Sequence, residues 1–375
     1  MMQRLAILAS FLLSAVPVQP ANADDCTGPC LDVSGSYELD GDLFRSSDPD
    51  AGHFHDIYPN LDTTLALRAG NGLSLNTEVL TEPVIDITPG GSRVFGDAGV
   101  YLETLYVQYD TGDVSLFAGK IHPVFGRAWD IAPGIHSTDL AEEYELSERN
   151  GGGANYSFDM GDFQTRIEAS AFTIDRTALS GSLITSRPRA TLDDGGAGNT
   201  NGISSVAVSL DGCKGADPDS CYDDGDIGYQ FAAAFQKGGL DSAGDEFSIA
   251  ASLNKTFKLG EEQDLKFLAE SVWFSHFNGS AQDALFLTGS GAWDIGPLTF
   301  STTYSQQHLT SGGGEAASTE YLIDTSVSYK LDHSISLAGE TWSAGAGYTY
   351  DHAPDETTHI FALSLTADFE ATTKF

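Results

Sequence analysis

From residue 33 to its end the chain alternates apolar and polar residues with a period of two, interrupted by clusters of Gly, Asp and Asn. In 33–43, Val33, Tyr37, Leu39 and Leu43 fall on one parity and Ser34, Ser36, Glu38, Asp40 and Asp42 on the other. Successive side chains of a strand point to opposite faces, so this pattern predicts a strand with one apolar and one polar face. The same pattern recurs in 61–69 and 73–81 around Gly70-Asn71-Gly72, in 101–109 and 114–121 around Asp110 to Asp113, and in 153–158 and 163–174 around Met160-Gly161-Asp162. It continues in 203–210 and 229–235, 247–257 and 265–276, 284–293 and 298–304, then 321–331 and 335–350 around Asp332-His333. These turns supply the positive φ angles and Asx hydrogen bonds that tight hairpins require. The last segment, 359–375, sets Phe361, Leu363, Leu365, Phe369 and Phe375 against Ser364, Thr366, Asp368, Glu370 and Lys374.

Connector length alternates as well. Every second connection is short, apart from one that holds two cysteines, and the connections between are mostly long and polar: 44–59, 83–98, 122–150 and 175–202, then 237–245, 277–283, 305–318 and 351–357. Short turns at one end and long loops at the other is the asymmetry of a transmembrane barrel. A soluble sandwich also has many short strands, but has no reason to sort its loops by parity. The expected fold class is therefore all-β: a transmembrane antiparallel β-barrel of 16 strands, its first strand rising and its last descending so that the two can pair. A barrel of roughly 16 strands encloses an aqueous channel. Polar faces such as Gln164, Arg166, Glu168 and Ser170, or Glu320, Asp324, Ser326 and Lys330, suit such a lumen.

The amino terminus changes the compartment. Arg4, an apolar run over 5–16 and Ala21-Asn22-Ala23 read as a secretory signal, 1–23, leaving one barrel domain over 24–375. Removing 1–23 takes away Arg4 and no acid, which moves the net charge from −36 to −37. Such a chain does not hold nucleic acid by charge, and an interior lined by its residues favours cations. An acidic solvated surface of the halophile kind is the plainer account of the same composition. In an oxidising compartment the spacings Cys26-x3-Cys30 and Cys213-x7-Cys221 predict two local disulfides. No cofactor and no metal site are expected: His53 and His55 beside Asp48, Asp50 and Asp56 read as an exposed polar loop. Asp217, Asp219, Asp223, Asp224 and Asp226 miss the EF-hand spacing, with Cys221 at a ligand position.

A terminal alternating strand that ends in Phe375 resembles the closing strand of Gram-negative outer-membrane barrels, where it also serves as an insertion signal read by the barrel-insertion machinery. The long connection 122–150, entered through Phe117-Ala118-Gly119-Lys120-Ile121 and Pro123-Val124-Phe125-Gly126, resembles the third loop of the porin family, which folds into the pore and narrows it. The resemblance implies a general diffusion porin, a passive channel for small hydrophilic solutes and ions, set in outer-membrane lipid as a homotrimer. It also implies a constriction between loop acids, here Asp130, Asp139, Glu142, Glu143, Glu145 and Glu148, and wall cations, here Arg68, Lys120 and Arg166 by parity. With so few basic residues the transverse field is expected to be weak and the pore cation-preferring. Trp273, Trp293 and Trp342 with Tyr109, Tyr304, Tyr329 and Tyr350 read as belts at the membrane boundary. A line of aromatics in a sugar-specific porin is the alternative. A barrel enzyme is disfavoured, since His136–Ser137 and His333–Ser334 are sequence neighbours without a third member. A soluble adhesin is the remaining class.

Overall fold

The computed structural model describes residues 28–48, 52–88, 90–331 and 340–375. The signal segment 1–23, Cys26, and the Asp332-His333 turn with Ser334 lie outside the described residues. The alternating segments form strands that run longer than their apolar cores. They are β1 Cys30–Ser46, β2 His53–Arg68, β3 Leu73–Pro83, β4 Ala98–Asp110, β5 Val114–Ile121, β6 Arg149–Met160, β7 Phe163–Ile174 and β8 Ser205–Lys214. There follow β9 Ile227–Gln236, β10 Glu246–Gly260, β11 Gln263–Ser275, β12 Ala284–Ile295, β13 Leu298–Leu309, β14 Ser318–Lys330, β15 Thr341–His352 and β16 Thr357–Lys374.

Each strand pairs antiparallel with its sequence neighbours, and β1 pairs with both β2 and β16, so the sheet closes as a sixteen-stranded barrel. The closing seam runs from Cys30 opposite Lys374 to Ser46 opposite Thr358. The amide of Phe375 donates to the Pro29 carbonyl at 3.0 Å, so the chain's last residues stay in the sheet rather than trailing from it. Closure matters because lipid offers no partner for an open edge. At the turn end every connection whose residues are all described is short except 215–226, and the strand expected over 335–350 is described from Thr341, with 332–339 outside the described residues. The connections expected at 44–59 and 351–357 shrink to 47–52 and 353–356. There the strands continue past their alternating cores, and Phe44 and Phe54 stack at 4.6 Å across the β1–β2 hairpin.

The outer face carries the apolar parity. Leu253, Phe231 and Val208 are exposed, while their inward neighbours Ser252, Gln230 and Ser209 are buried. Trp293, Phe300, Tyr329 and Tyr109 crowd the turn end of that face, and Trp273 lies toward the loop end, as interfacial aromatics do. Two observations depart from strict alternation. In β11 and β12, Leu268, Val272, Phe274 and Phe286 point inward and are buried. Part of the interior is thus an apolar core rather than a polar wall. In β4, alternation would set Glu103 on the lipid side with Leu105, Val107 and Tyr109. A β-bulge there pairs Glu78 with Thr104 and Val79 with Leu102, leaves Glu103 unopposed and turns it inward.

Leu253 lies at the middle of β10 on the outer face. Leu253→Arg is expected to destabilise the barrel by about 2–4 kcal/mol in reversible denaturant unfolding from lipid vesicles. A loss no larger than that of a surface substitution in a soluble protein would place this face away from lipid.

Candidate functional site: two inserts inside the barrel

The site is the lumen, and two segments enter it from opposite ends. From the loop end, 122–148 folds inward. Its apolar residues Phe125, Ala128, Tyr144 and Leu146 pack against the inward Phe172, Phe274 and Phe286, with Phe125 and Phe274 edge-on at 5.8 Å and Tyr144 and Phe286 at 5.0 Å. In the middle of that contact stands Glu270 of β11. Its carboxylate accepts from the Arg127 amide at 2.7 Å, the Ala128 amide at 3.0 Å and the Tyr144 hydroxyl. It thus satisfies the free amides that open the one-turn helix Ala128–Ile131. A second inward carboxylate, Asp324 of β14, accepts from the His136 amide at 3.3 Å and the Thr349 hydroxyl at 2.8 Å. Gly134 passes so close to it, at φ +146, that a Cβ there would lie 2.1 Å from an Asp324 oxygen. The Pro133 carbonyl receives the Thr303 hydroxyl at 2.9 Å.

The loop then reaches the far wall. His136 lies between Asp42 of β1 at 3.2 Å and Asp139 at 3.4 Å. Burial alone would lower its pKa, but the two carboxylates outweigh burial and push it up to about 11. The imidazolium is a strut that holds at neutral pH. It borders a cavity of about 420 Å³ lined by Asp42, Asp56, Tyr58, Glu82, Arg93 and Asp139.

From the turn end comes 215–226, pinned by the Cys213–Cys221 disulfide. Among the fully described connections at this end it is the one long one, and it is tucked inward. Asn254 donates to the Cys221 carbonyl at 3.3 Å, Lys266 meets Asp223 at 3.0 Å, and Arg166 forms a two-pronged pair with Asp219. Arg127 of the upper insert donates to the Pro218 carbonyl of the lower one, so the two inserts touch inside the barrel.

The residues singled out from the sequence separate in three dimensions. Arg68 sits at the turn end, exposed and paired with Asp32 at 2.6 Å, at the opposite end of its strand from the loop acids. Arg166 is engaged by the lower insert. Lys120 is fully buried and held by Glu148 at 2.6 Å and the Ser180 hydroxyl at 2.9 Å. Of the three, only Lys120 meets a loop acid, and it does so in a buried junction. Glu148 bridges Lys120 to Arg187 at 2.7 Å from a left-handed backbone, φ 52. Burial would raise its pKa, but Arg187 and Lys120 hold it below the ordinary glutamate value.

The other loop acids shift the opposite way. Burial pushes Glu143 and Glu145 up to about 7, the former with help from Glu320 and the latter with help from Glu103 despite His122. Burial also raises Glu142 and Asp130. Glu143 accepts from Gln307 and Glu142 from Thr138. Across from the loop, β1–β4 present Glu38, Asp40, Asp42, Asp62, Glu78 and Glu103 on the inner wall. Apart from His136 at Asp42 and His122 at Glu103, the facing surfaces are acid on acid. Cys30 is disulfide-bonded, and Cys26 falls outside the described residues.

Sequence reading missed Glu270, Arg127 and Glu103, and placed Asp324 on the lumen face without its role as an anchor for the insert. For Glu270 a signal was present: in 265–276 both parities are apolar toward the loop end, with one carboxylate among Leu268, Val272 and Phe274. A strand apolar on both faces has something packed on each.

A closed barrel of sixteen strands with lumen-directed inserts is an outer-membrane porin-type barrel. In sequence the chain matches no protein-family model and no curated protein. In structure it resembles solved outer-membrane proteins over nearly their whole length. The outer membrane channel DcaP of Acinetobacter baumannii is 12% identical with a TM-score of 0.53, covering 95% of this chain and 100% of that one. The anion-selective porin from Comamonas acidovorans is 12% identical with a TM-score of 0.51, covering 90% and 100%. The trimer form of OmpT, an outer membrane protein of Vibrio cholerae, is 10% identical with a TM-score of 0.50, covering 91% and 100%. At such identities the likeness is one of fold.

Glu270→Ala leaves two amides and a phenol without their acceptor, each at about 1–3 kcal/mol where buried. It is expected to release the upper insert, seen as faster protease cleavage within 122–148 in the folded barrel. Unchanged cleavage would mean that the apolar cluster alone holds it. The His136 imidazole should remain protonated at pH 9 when followed by NMR. Because its folded pKa is raised, the strut's stabilisation is full below about 6.5 and lost as pH climbs toward about 11.

Proposed function

We propose that this protein is a passive outer-membrane channel for small hydrophilic solutes and ions, cation-preferring, with 122–148 as its constriction and no catalytic role. The observation that carries the reading is the charge distribution in the lumen. Three basic side chains near the inserts are consumed, Lys120 by Glu148 and Asp175, Arg166 by Asp219, and Lys266 by Asp223 and Asp294. Arg127 and Arg149, each with a buried guanidinium nitrogen, lie at the insert rather than on the acidic wall. Among the described residues no Lys or Arg reaches Glu38, Asp40, Asp62 or Glu78 within ion-pair distance, and Asp40 and Asp62 each keep a side-chain oxygen without a hydrogen-bond partner. A passage with an acidic strip on the wall and acids on the insert concentrates cations and repels anions. The two inserts enter the interior from opposite ends and touch there, which supports a narrower and more solute-selective passage than an open diffusion pore. Assembly as a homotrimer and insertion through the terminal strand ending at Phe375, which is exposed, complete the reading.

Reversal potentials in a planar bilayer under a salt gradient test it. Cation over anion permeability should exceed one and rise from pH 6 to pH 8, because Glu143 and Glu145 lose protons near pH 7. The double variant Glu143→Gln, Glu145→Gln should flatten that rise and leave the residual preference of the wall strip. Absence of conductance steps, or an anion preference, would remove the channel reading; a pH response unchanged in the variant would remove the loop from it.

A further inference from the structure

The root of the upper insert holds a cluster in which Glu145, a constriction acid, and Glu103 of the acidic wall meet His122, a side chain the channel reading does not use. Glu103 Oε1 lies 3.0 Å from His122 Nε2, and Glu145 Oε1 lies 3.3 Å from His122 Nδ1. One donor atom from each of the three falls within 4.8 Å of the others. Three separate segments supply them: the bulge in β4, the first residue after β5, and the stretch that returns to β6. An independent feature points to a missing partner. Glu103 is 7% exposed, and its Oε2 has no hydrogen-bond partner. His122 Nε2 faces Glu103 Oε1 at 3.0 Å, which leaves the second Glu103 oxygen as the unpartnered atom. Buried polar atoms in native proteins are nearly always satisfied, and one that is not marks a place for a water, a ligand or an ion.

We propose that Glu103, His122 and Glu145 bind a divalent transition-metal ion of the zinc class. One imidazole nitrogen and two carboxylate oxygens are a common zinc donor set, with bonds of about 2.0–2.2 Å and a fourth position for water. One glutamate stands beside each ring nitrogen, Glu103 at Nε2 and Glu145 at Nδ1, and one donor atom from each of the three residues lies within 4.8 Å of the others. The ion takes one ring nitrogen with the glutamate already beside it, and the other glutamate swings over from the opposite nitrogen to complete the donor set. Calcium and magnesium favour all-oxygen shells, whereas the imidazole selects zinc, nickel or copper. Glu78 acts electrostatically on both His122 and Glu103 and adds negative potential. A bound ion ties both stems of the insert, at 122 and 145, to the barrel wall. The site stands on the fold and not on conduction.

The folded barrel in detergent micelles, stripped with a chelator, is titrated with zinc chloride by calorimetry. One ion per chain is expected, with H122N and E103Q each weakening binding at least tenfold and the double variant H53N/H55N leaving it unchanged. Bound zinc should also slow proteolysis within 122–148. Where E103Q fails to fold, H122N and E145Q decide. The absence of saturable binding overturns the proposal, and so does binding that H122N leaves intact, binding lost in H53N/H55N, or displacement of zinc by a hundredfold excess of magnesium. In that case a protonated imidazole between two carboxylates is the whole content of the cluster. A barrel that conducts but binds no zinc removes this site alone; one that binds zinc but does not conduct removes the channel reading alone.

Discussion

Backbone amides and carbonyls at membrane depth have no water to bond, so a sheet that spans lipid must leave no edge unpaired. The rest of this molecule depends on that constraint. It brings β1 beside β16 along the whole seam from Cys30–Lys374 to Ser46–Thr358 and keeps Phe375 bonded to Pro29. It requires alternation, because each strand then has one face toward lipid and one toward the interior. It also creates the interior, whose contents become the functional question.

That interior is not a uniform water-filled tube. One side behaves like the core of a soluble protein, with aromatic side chains from β7, β11 and β12 interlocked with those of the upper insert. Within it the Glu270 carboxylate is tolerable because three donors converge on it. Burying apolar surface and satisfying one carboxylate fix the insert against β11–β14, and this leaves the opposite wall of β1–β4 facing it across the passage. Among the described residues Glu38, Asp40, Asp62 and Glu78 on that wall meet no Lys or Arg within ion-pair distance, while Asp42 and Glu103 meet the insert histidines His136 and His122. Electrostatic character thus follows from a packing decision made on the other side of the barrel. The buried insert acids Glu143 and Glu145 are held near half ionisation at neutral pH by the same desolvation that anchors the loop.

Most of the fold was legible in the sequence, for a local reason. Side-chain direction in a strand is set by parity alone, so alternation, turn residues and the sorting of connector lengths pointed to the class and the strand number, while the inward course of the long 122–150 connection was expected from its resemblance to the porin third loop. The site was far less legible. Parity named Arg68, Lys120 and Arg166 as a basic wall, yet parity says nothing about height along the barrel. Arg68 lies at the turn end beside Asp32, and Arg166 meets a loop that enters from below. The cysteine connection stood out as too long for its side. That it turns inward and reaches Arg127 is a contact between residues about ninety positions apart, which no local pattern encodes.

Glu103 shows the boundary between the two. By sequence alone it belongs to the lipid face of β4, in step with Leu105, Val107 and Tyr109. A charged carboxylate there is unfavourable enough that the strand gives up one ladder position, and the bulge opposite Glu78 and Val79 rotates it inward toward His122 and Glu145. The sequence by itself determined that this chain crosses a membrane as strands and closes on its own last residues, because those properties are periodic and local. Which side chains meet in the lumen was decided only when the sheet closed and the two inserts filled it, because those meetings depend on register, height and burial across distant strands.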